Sequence, residues 1–532
     1  FLARRLPAAP GEGALAERRA ALSADLLRQS TAADATLRRT LPRGVAFHHG
    51  GLTNEERTLI ERGYRDGSIV VICATSTLAA GVNLPARRVV FQTPYMGNAF
   101  LDATQYKQMA GRAGRAGQGA IGESVVLANK QSRKQVMTLV QQELPRISSA
   151  LGNDRRGLKR LLLEVLCVTD LSTGQDLIRF CECTLLSRQK ADERSLTGDP
   201  LQDYPEIAQA VQWLLAHDMV RLDERVHAYG VTPLGRAVCA SSLDPEQGHA
   251  LFQDLERARP CVSLDTDMHI CYLVTPPDNQ LPVDYTVFDR VLRHLTKEER
   301  RVVDRVGVRL DMVSRATFEG RLSNAVAASP EGVRLVRFYT SLVLWALLHE
   351  VPQPVLFERF NLGRGHLQSL QEAAAAHTQI VATFCGRLQW FGLEALICSF
   401  QQRLTFGVRQ ELVPLMQISG MDCTVARALY EQGFTTPLTI AGAHPAEVLR
   451  VLRRTLPHGV PAAALPEENA AKLVEAAKRM AKQITKEKRK KAIEAQKELQ
   501  EGLKDDGAAR AEPPAKRPRA AAPGAAGGAA RG

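Results

Sequence analysis

Two arginines in a glycine-rich stretch are the residues whose type and spacing point most directly to chemistry. Residues 108–115 read QMAGRAGR, so glycines flank both Arg112 and Arg115. Glycine lets the backbone approach a cleft closely, and two guanidinium groups three residues apart can face one phosphate. A planar, permanently charged fork suits the negative charge of a γ-phosphoryl group during its transfer. The stretch predicts a nucleotide-sensing loop; the alternative is an exposed Arg-Gly loop that binds nucleic-acid backbone.

A second stretch, residues 74–86 (ATSTLAAGVNLPA), places small hydroxyl residues directly after an apolar run. The carboxyl ends of strands in α/β sheets bind ligands, and hydroxyl and amide N–H groups can hold a phosphodiester. Upstream, residues 47–52 (FHHGGL) end another predicted strand in the same way. Adjacent histidines suggest a metal site, but neighbours on a strand point to opposite faces, so we expect none there.

The segments that must position these residues alternate short strands with amphipathic helices. Residues 53–56 (TNEE) form a capping box, so a helix should start there and run to about Arg65, before Gly67 ends it. Further strands are predicted at Ile69–Cys73, Arg88–Phe91 and Ser124–Leu127. A helix is predicted at Asp102–Ala110. This alternation indicates an α/β domain with a parallel sheet.

Beyond about residue 135 the pattern becomes mainly helical. We predict a helical lead-in (1–43), the α/β domain (44–145), a winged helix (150–240), a helical bundle (241–405), a helix-hairpin-helix (406–465), a basic helix (466–504) and an Ala/Gly/Pro-rich tail (505–532). Strand signals occur around Val220–Val231, and the winged helix should end in a short hairpin around residues 229–233 (YGVTP). The tail buries too little surface to fold. The chain is therefore expected to be mainly α overall.

The amino-acid composition is typical of a globular protein with several domains. A chain of 532 residues, 45% hydrophobic and 24% charged, suffices for roughly three or four domains. The net charge of +12 suits a polyanionic partner without identifying one. The ten cysteines are scattered, which favours reduced core cysteines over a metal or disulfide framework. No run of about 18 uncharged apolar residues and no signal-like opening segment occurs, so the sequence supports neither a membrane span nor a signal peptide.

Residues 47–52, 74–86 and 108–115, in this order and spacing, resemble the second RecA-like domain of superfamily 2 helicases, and among them the POLQ-like (HELQ) DNA helicases. The resemblance reaches from Gly44 to about residue 450. It implies an α/β RecA-like domain followed by winged-helix, ratchet and helix-hairpin-helix modules. It also implies roles for single residues: strand contact by Thr75 and Thr77, shaping of the nucleotide cleft by Gly81 and Asn83, and ATP sensing by Gln108, Arg112 and Arg115, with Arg115 as the arginine finger.

The resemblance also assigns a place to a strand-separating element. In this family a β-hairpin between the two motifs splits the duplex, and residues 92–101 occupy that place here. Tyr95, Met96 and Phe100 are the candidates for an apolar wedge that unstacks bases. The alternative is that they are ordinary core residues.

The later modules match less completely. Residues 267–276 are similar to the start of the family's ratchet domain, and Gly365–Phe384 falls where its long helix should lie under the single strand. That helix lacks the aromatic residue that stacks on a base in archaeal members, and His377 is a weak substitute. In the hairpin motif Met421 and Asp422 replace a second glycine, which puts duplex binding there in doubt.

The chain contains no G-x-x-x-x-G-K-[S/T] phosphate loop and no D-E-x-H motif for Mg²⁺. An ATPase built from two RecA-like domains needs both. Because the sequence also starts at Phe1 rather than Met, we expect a fragment whose ATP and Mg²⁺ are bound mainly by a first RecA-like domain N-terminal to it, or else an inactive isoform.

The resemblance implies an ATP-dependent 3′→5′ DNA helicase of DNA repair and replication-fork maintenance, acting on single-stranded and forked DNA, with DNA-repair proteins as further partners and no membrane. Lys516, Arg517 and Arg519 in the tail indicate a nuclear import signal; a low-complexity end is the alternative. Three other functions stay open: the helicase half of DNA polymerase theta, a related superfamily 2 RNA helicase, and a truncated non-catalytic DNA-binding module.

Overall fold

A computed structural model describes residues 2–6, 13–29, 34–78, 84, 86–97, 99–114, 121–152, 156–189, 205–261, 266–455 and 467–509. The chain divides into two compact units, Phe1–Gln410 and Glu411–Gly532. In the first unit the strands are β1 Val45–His48, β2 Val71–Ala74, β3 Arg88–Phe91, β4 Tyr95–Met96, β5 Ala99–Phe100, β6 Glu123–Val126, β7 Val220–Asp223 and β8 Ala228–Val231.

The helices of the first unit follow the predicted order. They are α1 Leu2–Arg5, α2 Ala14–Gln29, α3 Ala35–Thr40, α4 Asn54–Arg65, α5 Ala103–Ala110, α6 Arg133–Gln141, α7 Arg156–Val168, α8 Gly174–Glu182, α9 Leu185–Gln189, α10 Pro205–Ala216, α11 Pro233–Ala240, α12 Pro245–Ala258, α13 Met268–Val274, α14 Tyr285–Arg293, α15 Lys297–Val306, α16 Leu310–Glu319, α17 Asn324–Ala327, α18 Pro330–Leu348, α19 Gln353–Phe360, α20 Arg364–Arg387 and α21 Phe391–Phe406.

The parallel sheet forms as two pairs of strands. Within the described residues β1 pairs only with β2 and β3 only with β6, both in parallel, whereas the sequence predicts one sheet. β2 also begins two residues later than predicted. The reason is that Ile69 lies in the core under α4 and donates its N–H to Gly63 O at 2.7 Å, so it serves the end of that helix rather than the sheet.

The turn between β1 and α4 has the predicted helix start. Thr53 accepts a hydrogen bond from Glu56 N, and the Glu56 carboxylate accepts one from Thr53 N, which confirms the capping box. The helix ends at Arg65, and Gly67 follows with a φ of 79°. Glu56 is completely buried, which is costly for a charged group unless it is paired. Its partner comes from a part of the chain about 300 residues away.

That partner is Arg364, the first residue of α20, whose Nη2 lies 2.7 Å from Glu56 Oε1 as a charge–charge contact. Beside it, Gly365 N donates to Gly51 O at 3.0 Å. A Cβ atom at Gly365 would collide with the carbonyl oxygens of Leu52 and Gly50, so only glycine permits this approach. The α/β domain and α20 are therefore joined backbone to backbone.

Further polar contacts extend this joint along both helices. Asn54 N donates to Gln368 Oε1 at 2.9 Å, and the Gln368 amide donates in turn to Glu55. Asn54 Nδ2 donates to Glu372, one turn further along α20. The N-terminal turns of α4 and α20 thus face each other across side-chain hydrogen bonds.

The remainder of the first unit is a helical core with one small hairpin. β7 and β8 pair antiparallel from Val220↔Val231 to Asp223↔Ala228, so the chain reverses between Asp223 and Ala228. The hairpin predicted around residues 229–233 is therefore placed too late in the sequence: Val231 ends β8, and Thr232 caps α11, which begins at Pro233. A single continuous cluster of buried apolar side chains runs from Leu158 to Leu404 and includes the buried faces of α18 and α20. Arg337 ties this core together, because its guanidinium donates to the carbonyls of Thr275 and Leu273 and to Asp254.

The second unit contains α22 Val413–Met416, α23 Cys423–Glu431, α24 Pro437–Gly442, α25 Pro445–Arg454 and α26 Glu467–Ala509. The turn between α22 and α23 uses Gly420 at a φ of 83°, in the place predicted for the hairpin. Apolar residues of the first four turns of α26 pack on α24 and α25: Ala470, Leu473, Val474, Ala477 and Ala481. The basic residues beyond them, such as Lys482 and Lys486, are exposed.

Replacing Gly365 with Ala should weaken the joint between the α/β domain and α20. The added methyl group meets main-chain oxygens that cannot rotate away, so we expect a loss of about 1–3 kcal/mol in the free energy of unfolding. Hydrogen exchange of the amides of Gly51 and the first turn of α20 should also become faster.

The matched control is Gly392→Ala at the start of α21, where a Cβ atom would meet no other atom within 4 Å. That change should leave stability equal or raise it slightly, because alanine favours helix. Equal thermal midpoints and equal exchange for the two variants would show that the close approach at Gly365 is not a constraint.

Candidate functional site

The two predicted strand-contact hydroxyls lie at the open end of β2. Thr75 follows the strand directly and donates its N–H to His48 O at 3.2 Å. Thr77 lies in the short 3₁₀ helix Ser76–Leu78, and its Oγ1 is 3.4 Å from Thr75 Oγ1. Thr75 is exposed and Thr77 half-buried, so the pair forms a small polar surface where a parallel sheet presents ligand groups.

His48 lies directly behind Thr77. Its Nδ1 is 2.8 Å from Thr77 Oγ1, its Nε2 is 3.4 Å from the Glu61 carboxylate, and the side chain is only 2% exposed. Burial lowers the pKa of His48 below its usual value, and Glu61 opposes that shift. His49 instead stacks on Phe47 with ring centroids 5.2 Å apart, so the two histidines occupy opposite faces as strand alternation predicts.

The main chain joins the end of the hydroxyl-bearing stretch to the Gly-Arg loop. Ala86 N donates to Arg112 O at 2.9 Å, and Gly114 N donates to Ala86 O at 2.8 Å, which makes a parallel bridge between Ala86 and Ala113. Gly122 packs so closely on this bridge that a Cβ atom there would collide with the backbone of Ala113. The two stretches that the sequence singles out are therefore neighbours in space.

Of the residues predicted to bind or sense ATP, the structure describes Gln108 and Arg112. Helix α5 begins at a capping box formed by Asp102 and Gln105, and it places Gln108 on an exposed face of its last turn. Arg112 follows and is half-buried. Gly81, Asn83 and Arg115 lie outside the described residues, so their positions stay predictions.

The predicted wedge is a two-stranded antiparallel hairpin. Tyr95 pairs with Phe100 and Met96 with Ala99, and Gly97 turns the chain with a φ of 61°. Tyr95 is 41% exposed and Met96 38%, so both side chains are accessible at the tip of the hairpin. Phe100 packs edge-on against Tyr95 and also on the small core of the α/β domain, so it supports the hairpin from below.

Helix α20 covers the stretch predicted for the ratchet helix, with one correction. His377, the candidate substitute for a base-stacking aromatic residue, is buried at 8% exposure and cannot stack on a base. Burial lowers the pKa of His377 to about 3, so the ring is neutral at physiological pH. Its position in the core follows from the helical period: it lies between Ala374 and Val381 on the buried face.

The described residues contain neither a candidate metal site nor a candidate membrane span. No group of three or more His, Cys, Asp or Glu side chains there could hold a metal ion. No helix in that part of the chain is both long and apolar enough to cross a membrane.

Three protein families match successive parts of the chain. The helicase conserved C-terminal domain matches residues 24–117, a helix-turn-helix domain matches 122–221, and the helical domain of the DNA polymerase theta helicase-like region matches 245–404. The first match contains β1, β2 and the Gly-Arg loop, and the third contains α18 and α20.

Curated relatives share most of the chain. DNA polymerase theta of Mus musculus is 36% identical over 84% of this chain, and the helicase POLQ-like protein of Homo sapiens is 33% identical over 83%. The ATP-dependent DNA helicase Hel308 of Pyrococcus horikoshii is 28% identical over 78%. The matched region spans 18%, 40% and 55% of these three relatives, respectively.

These matches agree with the geometry of the α/β domain and of the helical core. The resemblance to POLQ-like helicases is thereby confirmed, and DNA polymerase theta shares it. The chain therefore carries a helicase C-terminal domain, a helix-turn-helix domain and a POLQ-type helical domain, and it is similar to part of POLQ-like helicases, DNA polymerase theta and Hel308.

Proposed function

We propose that this chain supplies the second RecA-like domain and the DNA-binding modules of an ATP-dependent 3′→5′ DNA helicase that acts in DNA repair and replication-fork maintenance. The observation that carries the proposal is the main-chain bridge between Ala86 and Arg112–Gly114. It connects the stretch that bears Thr75 and Thr77 to the loop that leads into Arg115. A motor needs such a link, because nucleotide state must change how the strand is held.

In this proposal ATP and Mg²⁺ lie mainly on a first RecA-like domain outside this chain. This chain contributes Gln108, Arg112 and Arg115 to the γ-phosphate, while Gly81 and Asn83 shape the cleft. Arginine suits the role because it stays charged and meets the charge that develops in the transition state. The relative Hel308 of Pyrococcus horikoshii is an ATP-dependent DNA helicase, which supports ATP as the cofactor in this proposal.

The substrates of the proposed helicase are single-stranded and forked DNA. The tracking strand is held by Thr75 and Thr77, and the exposed tip of the hairpin separates the duplex. The proposed partners are DNA-repair proteins, and the proposed location is the nucleus. The import residues Lys516, Arg517 and Arg519 lie outside the described residues; loss of nuclear fluorescence from a tagged full-length protein that lacks residues 505–532 tests their role.

A second candidate is the helicase region of a DNA polymerase theta. It is favoured by 36% identity to the Mus musculus polymerase, against 33% to the human POLQ-like helicase. A polymerase domain within the same full-length protein would decide for it. A comparison of unwinding on DNA and RNA duplexes tests the DNA assignment against a related RNA helicase.

Arg115→Ala in the full-length protein should separate catalysis from binding. We expect single-strand affinity to stay within about threefold of wild type and ATP turnover to fall ~10³-fold or more, because the arginine finger stabilises charge present only in the transition state. Thr77→Ala should instead lower the DNA-stimulated rate of ATP turnover and leave the basal rate of ATP hydrolysis near wild type. Turnover and single-strand affinity measured side by side give both results.

The outcome that contradicts this assignment is loss of DNA binding in Arg115→Ala with ATP turnover intact. The Gly-Arg loop would then be a clamp on the nucleic-acid backbone. The sensing role of the loop, and with it the proposed helicase mechanism, would be wrong.

Truncating the exposed side chains at the tip of the hairpin should slow duplex separation without lowering other activities of the motor. Tyr95→Ala combined with Met96→Ala should slow unwinding about tenfold or more, since an apolar wedge offsets part of the cost of unstacking. DNA-stimulated ATP turnover and translocation on single strands should stay near wild type. Phe100→Ala should add a loss of stability, because Phe100 also packs on the domain core.

The control is Val90→Ala on β3, another exposed apolar residue at 55% exposure but outside the hairpin. It should leave unwinding unchanged. If the double substitution at the tip unwinds as fast as this control, the hairpin does not separate strands.

A further inference from the structure

A buried chain of polar groups runs from α4 to the strand-contact surface. Glu61 of α4 faces His48 Nε2 at 3.4 Å, and His48 Nδ1 faces Thr77 Oγ1 at 2.8 Å. The Thr77 hydroxyl also donates to the main-chain carbonyl oxygen of His48 at 3.1 Å, and Thr77 Oγ1 lies 3.4 Å from Thr75 Oγ1. None of the predicted roles for the α/β domain uses His48, although it is 2% exposed and touches a proposed DNA contact.

The Thr77 hydroxyl has a single proton to donate. When His48 is neutral, the Glu61 carboxylate favours a proton on Nε2, because a carboxylate only accepts. Nδ1 at 2.8 Å is then a second acceptor for that proton, beside the main-chain carbonyl oxygen of His48 at 3.1 Å. A phosphodiester oxygen is also only an acceptor, so it competes with His48 for the same hydroxyl proton.

Protonation of His48 removes one of these two acceptors. The imidazolium donates from Nδ1 to Thr77 Oγ1, and its Nε2 faces the Glu61 carboxylate at 3.4 Å as a charge–charge contact. The proton comes from solvent and no covalent bond in the Thr77 side chain changes, so a phosphate then competes for the hydroxyl proton with the His48 carbonyl oxygen but no longer with Nδ1. A phosphate bound at Thr77 would in turn favour the added positive charge.

We propose that His48 is a positioning residue that takes up a proton when a phosphodiester of the bound strand engages Thr77, so that binding through this contact strengthens as the pH falls. The inference rests on the proposed strand contact of Thr77. It names the chemistry of the ligand at this point as a phosphodiester oxygen that receives the hydroxyl hydrogen bond.

The surroundings of His48 set the direction of the effect. Burial lowers its pKa most, Glu61 of α4 raises it, and the positive charge of Arg57 on α4 and of His49 beside it lowers it again. Glu61 is shared with Arg65, whose Nη2 is 3.2 Å away. Without DNA the pKa of His48 therefore lies below its usual value. We expect a bound phosphate to raise this pKa, because its negative charge favours the imidazolium.

The sign of the linkage follows from these two states. The strand-bound form holds the extra proton up to a higher pH than the free form. Affinity should therefore rise as the pH falls through the bound-state pKa of His48, and level off below the free-state pKa. One linked proton limits the change to about tenfold per pH unit.

The test is fluorescence anisotropy of the full 532-residue chain with a labelled oligo(dT) at constant salt, from about pH 8 to about pH 6. Wild-type affinity should rise about threefold or more over this range. His48→Asn places an amide donor near the Nδ1 position without a titrating group, so its affinity should change little with pH. Thr77→Val removes the hydroxyl and should bind more weakly, most clearly at low pH, and with a flatter profile.

Two controls bracket this result. Thr77→Ser keeps the hydroxyl and should restore the wild-type pH dependence. His294→Asn removes an exposed histidine at the end of α14, far along the chain from Thr77, and should leave the pH dependence unchanged. Circular dichroism of each variant establishes that it is folded, and the Thr77 variants test the inference even if His48→Asn does not fold.

The outcomes are distinct. If Thr77→Val weakens binding but keeps the wild-type pH dependence, or if folded His48→Asn titrates like wild type, the inference about His48 is wrong and the strand contact stands. If Thr77→Val binds as wild type at every pH, the strand contact itself is wrong, and the inference falls with it.

Discussion

The close approach of two glycine-containing segments constrains much of the first unit. The backbone of Gly50–Leu52 meets the start of α20 at Gly365, where any side chain would collide with carbonyl oxygens. Beside it the buried Glu56 is held by its own helix cap and by Arg364, and removing either partner would leave a buried charge uncompensated. Because β1 leads directly into this turn, the strand end that carries His48 and the helix proposed to lie under single-stranded DNA are fixed to each other.

This arrangement gives the proposed motor a short path between its parts. Thr77 contacts His48 at the end of β1, and the next residues dock on α20. On the other side the main-chain bridge at Ala86 leads to the Gly-Arg loop. A movement of the α/β domain driven by nucleotide would therefore carry both the strand-contact hydroxyls and α20, since each link is made by backbone or buried polar contacts rather than by flexible surface side chains.

Local signals predicted local structure well. The capping box at Thr53 and the end of α4 before Gly67 are set by residues within a few turns of each other, so their sequence is sufficient. Long-range partners were not predictable in the same way. Arg364 is an ordinary helix residue by sequence, and nothing near Glu56 indicates that its carboxylate is fully buried.

The same limit applies to the candidate site. Residue types and spacing singled out the hydroxyl-rich stretch after β2 and the Gly-Arg loop, and the family resemblance proposed the roles of Thr75 and Thr77 within it. They identified His48 and His49 only as a weak metal candidate, since the role of His48 depends on Glu61 and Thr77, which reach it from two other elements. Phe100 proved to be shared between hairpin and core, a distinction that depends on packing alone.

We propose that this chain holds the sensing half of an ATP motor and that a separate RecA-like domain binds the triphosphate. Steady-state phosphate release with Mg-ATP and single-stranded DNA tests this proposal, for the 532-residue chain alone and for the same chain joined to a first RecA-like domain of a related helicase. We expect no DNA-stimulated turnover by the chain alone and clear turnover by the joined protein, because residues 1–532 contain no phosphate loop and no D-E-x-H motif. Turnover by the chain alone, or none by the joined protein, would show that the proposal is wrong.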